Sequence, residues 1–208
     1  MTSKPIIAVP PANQKLRITL LRLFFTVALI PAIWGVSVWQ QDPALGGLLR
    51  LAGSLCIITA VLGRFWAILY IGGRKNSEVL QEGPYSVCRH PLYLFSTIGA
   101  MGFGLLLGSV SLAALFGLGA FAILWRTARR EERYLSAQFG EAWGAYAARV
   151  PPILPRLGLF RTGPAVEVNL RTLRANLADA LVFLAAFPVS EAVRYLHETG
   201  LLQGFAVY

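Results

Sequence analysis

The chain alternates long apolar blocks with short polar breaks, and the blocks have the length of membrane crossings. The first covers residues 18–39 and carries Pro31, a kink that packed neighbours can accommodate in lipid. Gln40-Gln41-Asp42-Pro43 ends it. The second covers residues 45–71, with Arg50 near one end and Arg64 in its last third, and stops at Gly72-Gly73-Arg74-Lys75-Asn76. Two shorter blocks follow, residues 92–107 and 110–125, joined at Gly108-Ser109. Each is close to the lower length limit for a span, and together they read as a tight helical hairpin. Gly99, Gly102, Gly104, Gly117 and Gly119 permit close backbone approach between membrane helices. The string Gly117-Leu-Gly119-Ala-Phe-Ala122 superficially matches a dinucleotide-binding pattern, but no strand precedes it, so it reads as packing.

At Arg126 the pattern changes. Over residues 126–149 charges alternate with Tyr134, Leu135, Phe139, Trp143 and Tyr146 at helical spacing, which predicts an amphipathic helix at the membrane surface. Val150-Pro-Pro-Ile-Leu-Pro155 ends it, and a linker with Arg156, Arg161, Arg171 and Arg174 follows. Residues 177–196 are apolar again but include Asp179, Pro188, Glu191 and Arg194. The pattern leaves a fifth span, a re-entrant segment and an interfacial helix all open.

Composition supports the membrane reading. Of 208 residues, 56% are hydrophobic and only 14% charged, and the mean hydropathy is +0.59. Soluble domains carry about a quarter charged residues. The expected fold is all-α and polytopic, with four to five transmembrane helices and a cytoplasmic amphipathic helix. It divides into residues 1–76 (two helices), 77–155 (a core with the hairpin and amphipathic helix) and 156–208 (linker and fifth apolar segment).

The net charge of +9 raises the question of nucleic acid. The basic residues flank apolar blocks instead of forming one basic face, so no nucleic-acid partner is expected; they suit membrane lipids and topology. The turns at residues 40–47 and 108–109 hold no Lys or Arg. Lys4, Lys15, Arg17, Arg74, Lys75, Arg89, Arg126, Arg129, Arg130 and Arg133 gather on the other side. The N-terminus, the middle loop and the amphipathic helix are therefore expected in the cytoplasm. With only Cys56 and Cys88, neither a disulfide nor a metal site is expected. The first apolar run lacks a cleavage site, so no secretory signal is expected.

Two polar clusters could carry chemistry. Gly83-Pro84-Tyr85-Ser-Val-Cys-Arg89-His90-Pro91-Leu92-Tyr93 sets a His, an Arg and two Tyr at the mouth of a helix starting near Pro91. The first turn of a helix leaves free N–H groups, and His titrates near neutrality. An interfacial anchor would use the same residue types. The second cluster is Arg126, Arg129, Arg130, Glu131 and Glu132. Positive-inside anchoring explains its arginines but not the adjacent carboxylates, one of which could bind a cationic group.

Taken jointly, Gly83-Pro84-Tyr85, Arg89-His90-Pro91-Tyr93, Glu131-Glu132-Leu135, Phe139-Gly140-Trp143-Tyr146 and Pro155 resemble the isoprenylcysteine carboxyl methyltransferases and their phospholipid methyltransferase relatives. The resemblance implies an S-adenosylmethionine-dependent membrane methyltransferase whose cofactor site faces the cytoplasm. It implies that Tyr85, His90, Pro91, Leu92 and Tyr93 contact the cofactor and that Glu131 pairs with its methionine ammonium, with Glu132 as the neighbouring candidate. Residues 77–80, from Ser77 to Leu80, would close over the adenosine, although the family usually has His where Ser77 stands. The substrate-orienting Arg of the carboxyl methyltransferases falls at Thr127 in this register, which leaves the adjacent Arg126 for that role beside His90. The implied acceptor is lipophilic and enters from the bilayer, with carboxyl O-methylation as the leading reaction. Phosphatidylethanolamine N-methylation and methylation of a small thiol or amine are the alternatives within the family. A nicotinamide-dependent sterol-reductase relative or a non-catalytic membrane protein would lie outside it.

Overall fold

The computed structural model describes residues 13–72, 77–166 and 168–208; Lys4, Arg74 and Lys75 lie outside them. Helix α1 (Gln14–Trp34) opens on Asn13, whose side chain accepts from the Leu16 amide at 3.1 Å, and it runs through Pro31 without stopping. A short strand β1 (Gly35–Ser37) and a 3-10 turn (Val38–Gln41) lead to α2 (Pro43–Ile71). The polar break at residues 40–43 is also a start signal. Asp42 accepts from the Ala44 and Leu45 amides at 2.9 and 3.1 Å, and Pro43 fills the first helical position, where no N–H is needed.

Next come α3 (Pro84–Val87), α4 (Pro91–Leu106), α5 (Val110–Phe139) and α6 (Glu141–Arg149). The hairpin is present, with Ser109 capping α5 through the Leu112 amide at 3.1 Å. The expected boundary at Arg126 is not: the second hairpin helix continues unbroken to Phe139. The break falls at Gly140, whose φ of +51° suits glycine. The chain ends with α7 (Leu170–Leu181), a 3-10 turn (Val182–Ala185), α8 (Ala186–Glu198) and β2 (Phe205–Val207).

Among the described residues four stretches are long and apolar enough to cross a membrane: α1, α2, α5 and Asn176–Glu198. Helix α4 has 16 residues, about 24 Å at 1.5 Å per residue, and is the shortest passage. Small residues bring α2, α4 and α5 together. A Cβ on Gly53 would sit 2.6 Å from the Leu106 nitrogen and 2.8 Å from the Gly102 oxygen, so α2 and α4 touch backbone to backbone. Gly104 faces the Ala113 backbone across the hairpin, while Gly117 and Gly119 face Met101 and Phe24. The glycine-rich string therefore serves packing. At the centre Phe116 is fully buried, stacked on Phe25 at 5.7 Å and tilted against Phe103 at 5.1 Å.

The fifth apolar segment runs from one end of the bundle to the other. Before it, the linker is held at the end bearing α3: the Gly83 amide donates to the Arg161 carbonyl at 2.7 Å. After it, β2 pairs in parallel with β1, Gly35 opposite Phe205, at the far end of α1. There the Tyr208 carbonyl accepts from the Ser111 amide and the Ser109 hydroxyl at 2.5 and 2.6 Å. The Ser37 hydroxyl donates to the Gly108 carbonyl at 2.5 Å. The first residues of α1 and the last of the chain thus lie at opposite ends, so with the shorter α4 the described residues make five passages along the bundle. The protein is an all-α, multi-pass membrane protein.

Candidate active site

The site forms at the end where α2 closes, α4 begins and α5 continues beyond its apolar half. Its frame is a clamp between residues 83–90 and 150–161. The Arg89 and His90 amides donate to the Pro151 and Pro152 carbonyls at 2.9 and 3.1 Å, and the Arg156 amide donates to the Val87 carbonyl at 3.0 Å. The three prolines of Val150-Pro-Pro-Ile-Leu-Pro155 lack N–H donors and keep this stretch out of a helix. That leaves its carbonyls free to accept from the loop. The Cys88 thiol donates to the Ile153 carbonyl at 3.1 Å, and burial pushes its pKa up to about 11. Cys88 is thus a packing residue, mostly protonated at neutral pH. The Tyr146 hydroxyl of α6 donates to the Tyr85 carbonyl at 2.8 Å, with Trp143 and Val150 buried beside it.

The clamp presents a run of polar side chains to α5. The Tyr93 hydroxyl donates to Glu131 Oε2 at 2.8 Å. His90 stacks flat on the Tyr93 ring at 5.4 Å, donates from Nε2 to Glu132 Oε1 at 3.0 Å and holds Nδ1 3.9 Å from Glu131. Both carboxylates therefore bracket one imidazole from different sides. Glu132 also forms an ion pair with Arg89, whose Nε lies 3.1 Å away without the alignment of a hydrogen bond, while Arg89 Nη1 donates to the Ala147 carbonyl of α6 at 3.1 Å. Tyr85 is 94% buried, and among the described residues its hydroxyl has no hydrogen-bond partner. Burial, with Tyr146 and Glu131 adding to it, raises the pKa of that phenol well above its ordinary value, so it remains a donor.

Leu80, Tyr85, His90, Pro91, Leu92, Tyr93 and Glu131 line one cavity, joined by Glu78 and Val79 from the stretch expected to fold over the site. Ser77 and Arg126 are not on its wall. Glu132 turns instead toward an outer groove with Arg126, Arg129, Arg130 and Arg133, and Arg89 and Trp143 border both spaces. Sequence reasoning missed Arg17, which reaches the cavity from α1, and Ile71 at the end of α2. Arg17 is marked by packing and not by the residue pattern alone. It heads the stripe Arg17, Leu21, Phe24, Ala28 and Ala32, whose four- and three-residue steps mark the face of α1 turned to the bundle.

A family model for phospholipid methyltransferases matches residues 41–142. The nickel-cobalt-cadmium resistance protein NccN of Alcaligenes xylosoxydans xylosoxydans is 37% identical over 208 residues, covering 98% of this chain and 97% of that protein. The cobalt-zinc-cadmium resistance protein CzcN of Cupriavidus metallidurans is 36% identical over 90% of this chain and 86% of its own length. The protein-S-isoprenylcysteine O-methyltransferase of Schizosaccharomyces pombe is 30% identical over 87 residues, 41% of this chain and 37% of that enzyme. No solved structure matches. The matched segment contains the loop, the hairpin and both carboxylates, and so this chain belongs to the phospholipid and isoprenylcysteine methyltransferase family of integral membrane methyltransferases.

Proposed function

We propose that the chain transfers a methyl group from S-adenosylmethionine to a lipophilic acceptor, by carboxyl O-methylation of the isoprenylcysteine type. The observation that carries this reading is the pairing, in one cavity, of the Glu131 carboxylate with the buried Tyr85 hydroxyl, which has no partner among the described residues. The cavity's residues fit the group. Glu131 offers an anion to an ammonium, Tyr85 offers a hydroxyl donor, and Leu80, Leu92 and Ile71 give apolar walls for a purine. When bound, the cofactor supplies an electrophilic methyl on a sulfonium. The protein's part is to align and to exclude water, which can lower a barrier by several kcal/mol.

The outer groove supports an acceptor that carries negative charge. Arg126, Arg129, Arg130 and Arg133 line it and attract a carboxylate or phosphate while disfavouring a free ammonium. A carboxylate nucleophile needs no general base, whereas an amine must first lose a proton. The phospholipid reading survives as the alternative, because a headgroup phosphate would also suit these arginines and the matching family model is that of phospholipid methyltransferases. His90, held from Nε2 by Glu132, would then face the amine.

Purified protein incubated with methyl-labelled S-adenosylmethionine and membrane lipid extract tests the reading. The extract should come from cells grown with and without nickel or cobalt salts, because relatives are named for resistance to these metals. The expected product is a lipid-soluble label released by mild base as methanol, as a methyl ester requires. A base-stable label in a phospholipid would select the alternative, and no transfer to any lipid-soluble species would sink both.

We further propose that the site faces the cytoplasm. Cysteines introduced at Ser77 or Ser136 should react with a membrane-impermeant thiol reagent only after lysis. Those at Asp42 or Gln203 should react in intact cells. The Gln203 position follows from the strand pairing that brings the C-terminus back to the α1–α2 connection. Equal accessibility at all four positions would contradict an orientation drawn from the Lys and Arg asymmetry.

A further inference from the structure

Arg17 sits in the first turn of α1, outside the residues matched by the family model. Its Nη1 donates to the Tyr93 hydroxyl at 2.9 Å, and its guanidinium lies 5.6 Å from the centre of the Tyr93 ring. The same hydroxyl donates its own proton to Glu131 at 2.8 Å. One phenol oxygen therefore holds a guanidinium on one side and a carboxylate on the other, and both charged groups line the same cavity. Arg17 is half-buried while its immediate neighbours on α1 are exposed, and its remaining N–H donors have no partner among the described residues. A cation and an anion held apart by one hydroxyl, with donors to spare on the cation, complement an α-amino acid group. That group presents an ammonium and a carboxylate on adjacent atoms.

We propose that Arg17 binds the α-carboxylate of the cofactor's methionine end, opposite the ammonium held by Glu131. The inference rests on the reading of this cavity as the cofactor site. It makes α1, which contributes nothing to the family motifs, part of the binding machinery. It also assigns Tyr93 a positioning role, since its hydroxyl sets the spacing of the two charges. Arg is suited to the task because its planar fork can meet both oxygens of a carboxylate at once.

The test compares two ligands in wild type, Arg17→Ala and Arg17→Lys by calorimetry in detergent. The first ligand is S-adenosylhomocysteine. The second is its decarboxylated analogue, which keeps the amine and lacks only the carboxylate. Wild type should prefer S-adenosylhomocysteine. Arg17→Ala should weaken S-adenosylhomocysteine roughly tenfold or more and leave the analogue within about twofold, which abolishes the preference. Arg17→Lys, which keeps a cation, should retain part of it. Equal weakening of both ligands would overturn the proposal, because it would mean that Arg17 only organises Tyr93. Unchanged binding of both, with a raised KM for the lipid acceptor, would also overturn it by assigning Arg17 to the acceptor. If wild type binds neither ligand, the cofactor reading of the cavity fails first, and this result is separate from a failure of Arg17 alone.

Discussion

Glu131→Gln is expected to weaken S-adenosylhomocysteine binding by about 30-fold to several thousand-fold, the range that follows from losing one partner of a desolvated ion pair at about 2–5 kcal/mol. The substitution keeps the size of the side chain and an oxygen that can still accept from Tyr93, so it isolates the charge. The Glu131 side chain is 17% exposed, dry enough for its charge to count and open enough for a ligand to reach. Glu132→Gln gives the contrast. Glu132 lies about 100° further around the helix, and it is engaged by Arg89 and His90 on the groove side. Its loss should cost stability before it costs affinity. Calorimetry on both variants, with helicity checked by circular dichroism, decides. Near-wild-type affinity in Glu131→Gln would return that residue to a purely structural role, and the reverse ranking would move the ammonium contact to Glu132.

The limits of α2 were legible almost to the residue, because Asp42 and Pro43 make a polar stop and a helix start in one tetrapeptide. The boundary expected at Arg126 failed for a physical reason. A change from apolar to charged side chains records where the solvent changes, while a helix ends only where its backbone is interrupted. No Gly or Pro occurs between Arg126 and Phe139, so α5 leaves the apolar region without a break and stops at Gly140.

The fifth segment was ambiguous for the opposite reason, since Asp179, Pro188, Glu191 and Arg194 all look unwelcome in lipid. Pro188 turns out to occupy the third residue of α8, after a 3-10 turn. A missing N–H is harmless there, because the first turn has none to pair within the helix. Arg194 pairs with both Glu191 and Glu198 on one face of α8.

Within the site, the loop and the carboxylates could be found because their residue types are unusual at a membrane end. Arg17 could not be singled out in the same way. A membrane helix is apolar on both faces, so α1 shows little amphipathic contrast to say which basic residue of its first turns points inward. Only the packing of Leu21 beside Tyr93 and Leu124 fixes that direction.

Arg89→Ala should destabilise the fold more than any other single change at the surface of the site, by about 2–3 kcal/mol, or a fall in Tm of roughly 4–12 °C. Arg89 joins three elements. Its backbone amide is hydrogen-bonded to Pro151 and its Nη1 to the Ala147 carbonyl of α6, and its guanidinium forms an ion pair with Glu132 of α5. Its side chain is 12% exposed and that of Glu132 is 23%, so removal leaves a partly dry carboxylate with His90 as its hydrogen-bond partner among the described residues and an α6 carbonyl with one donor fewer. Arg149→Ala is the comparison. Arg149 also links α6 to the loop, through Gln81 at 2.6 Å, but the contact is exposed, and exposed contacts of this kind contribute about 0–1 kcal/mol. Thermal melts of the two variants in the same detergent should therefore separate clearly. The double variant Arg89→Ala/Glu132→Ala should cost less than the two single changes added together, since each single change strands the other's charge. Additive losses, or an Arg89→Ala melt no lower than that of Arg149→Ala, would mean that the clamp is held by its backbone hydrogen bonds and that the Arg89–Glu132 pair merely decorates it.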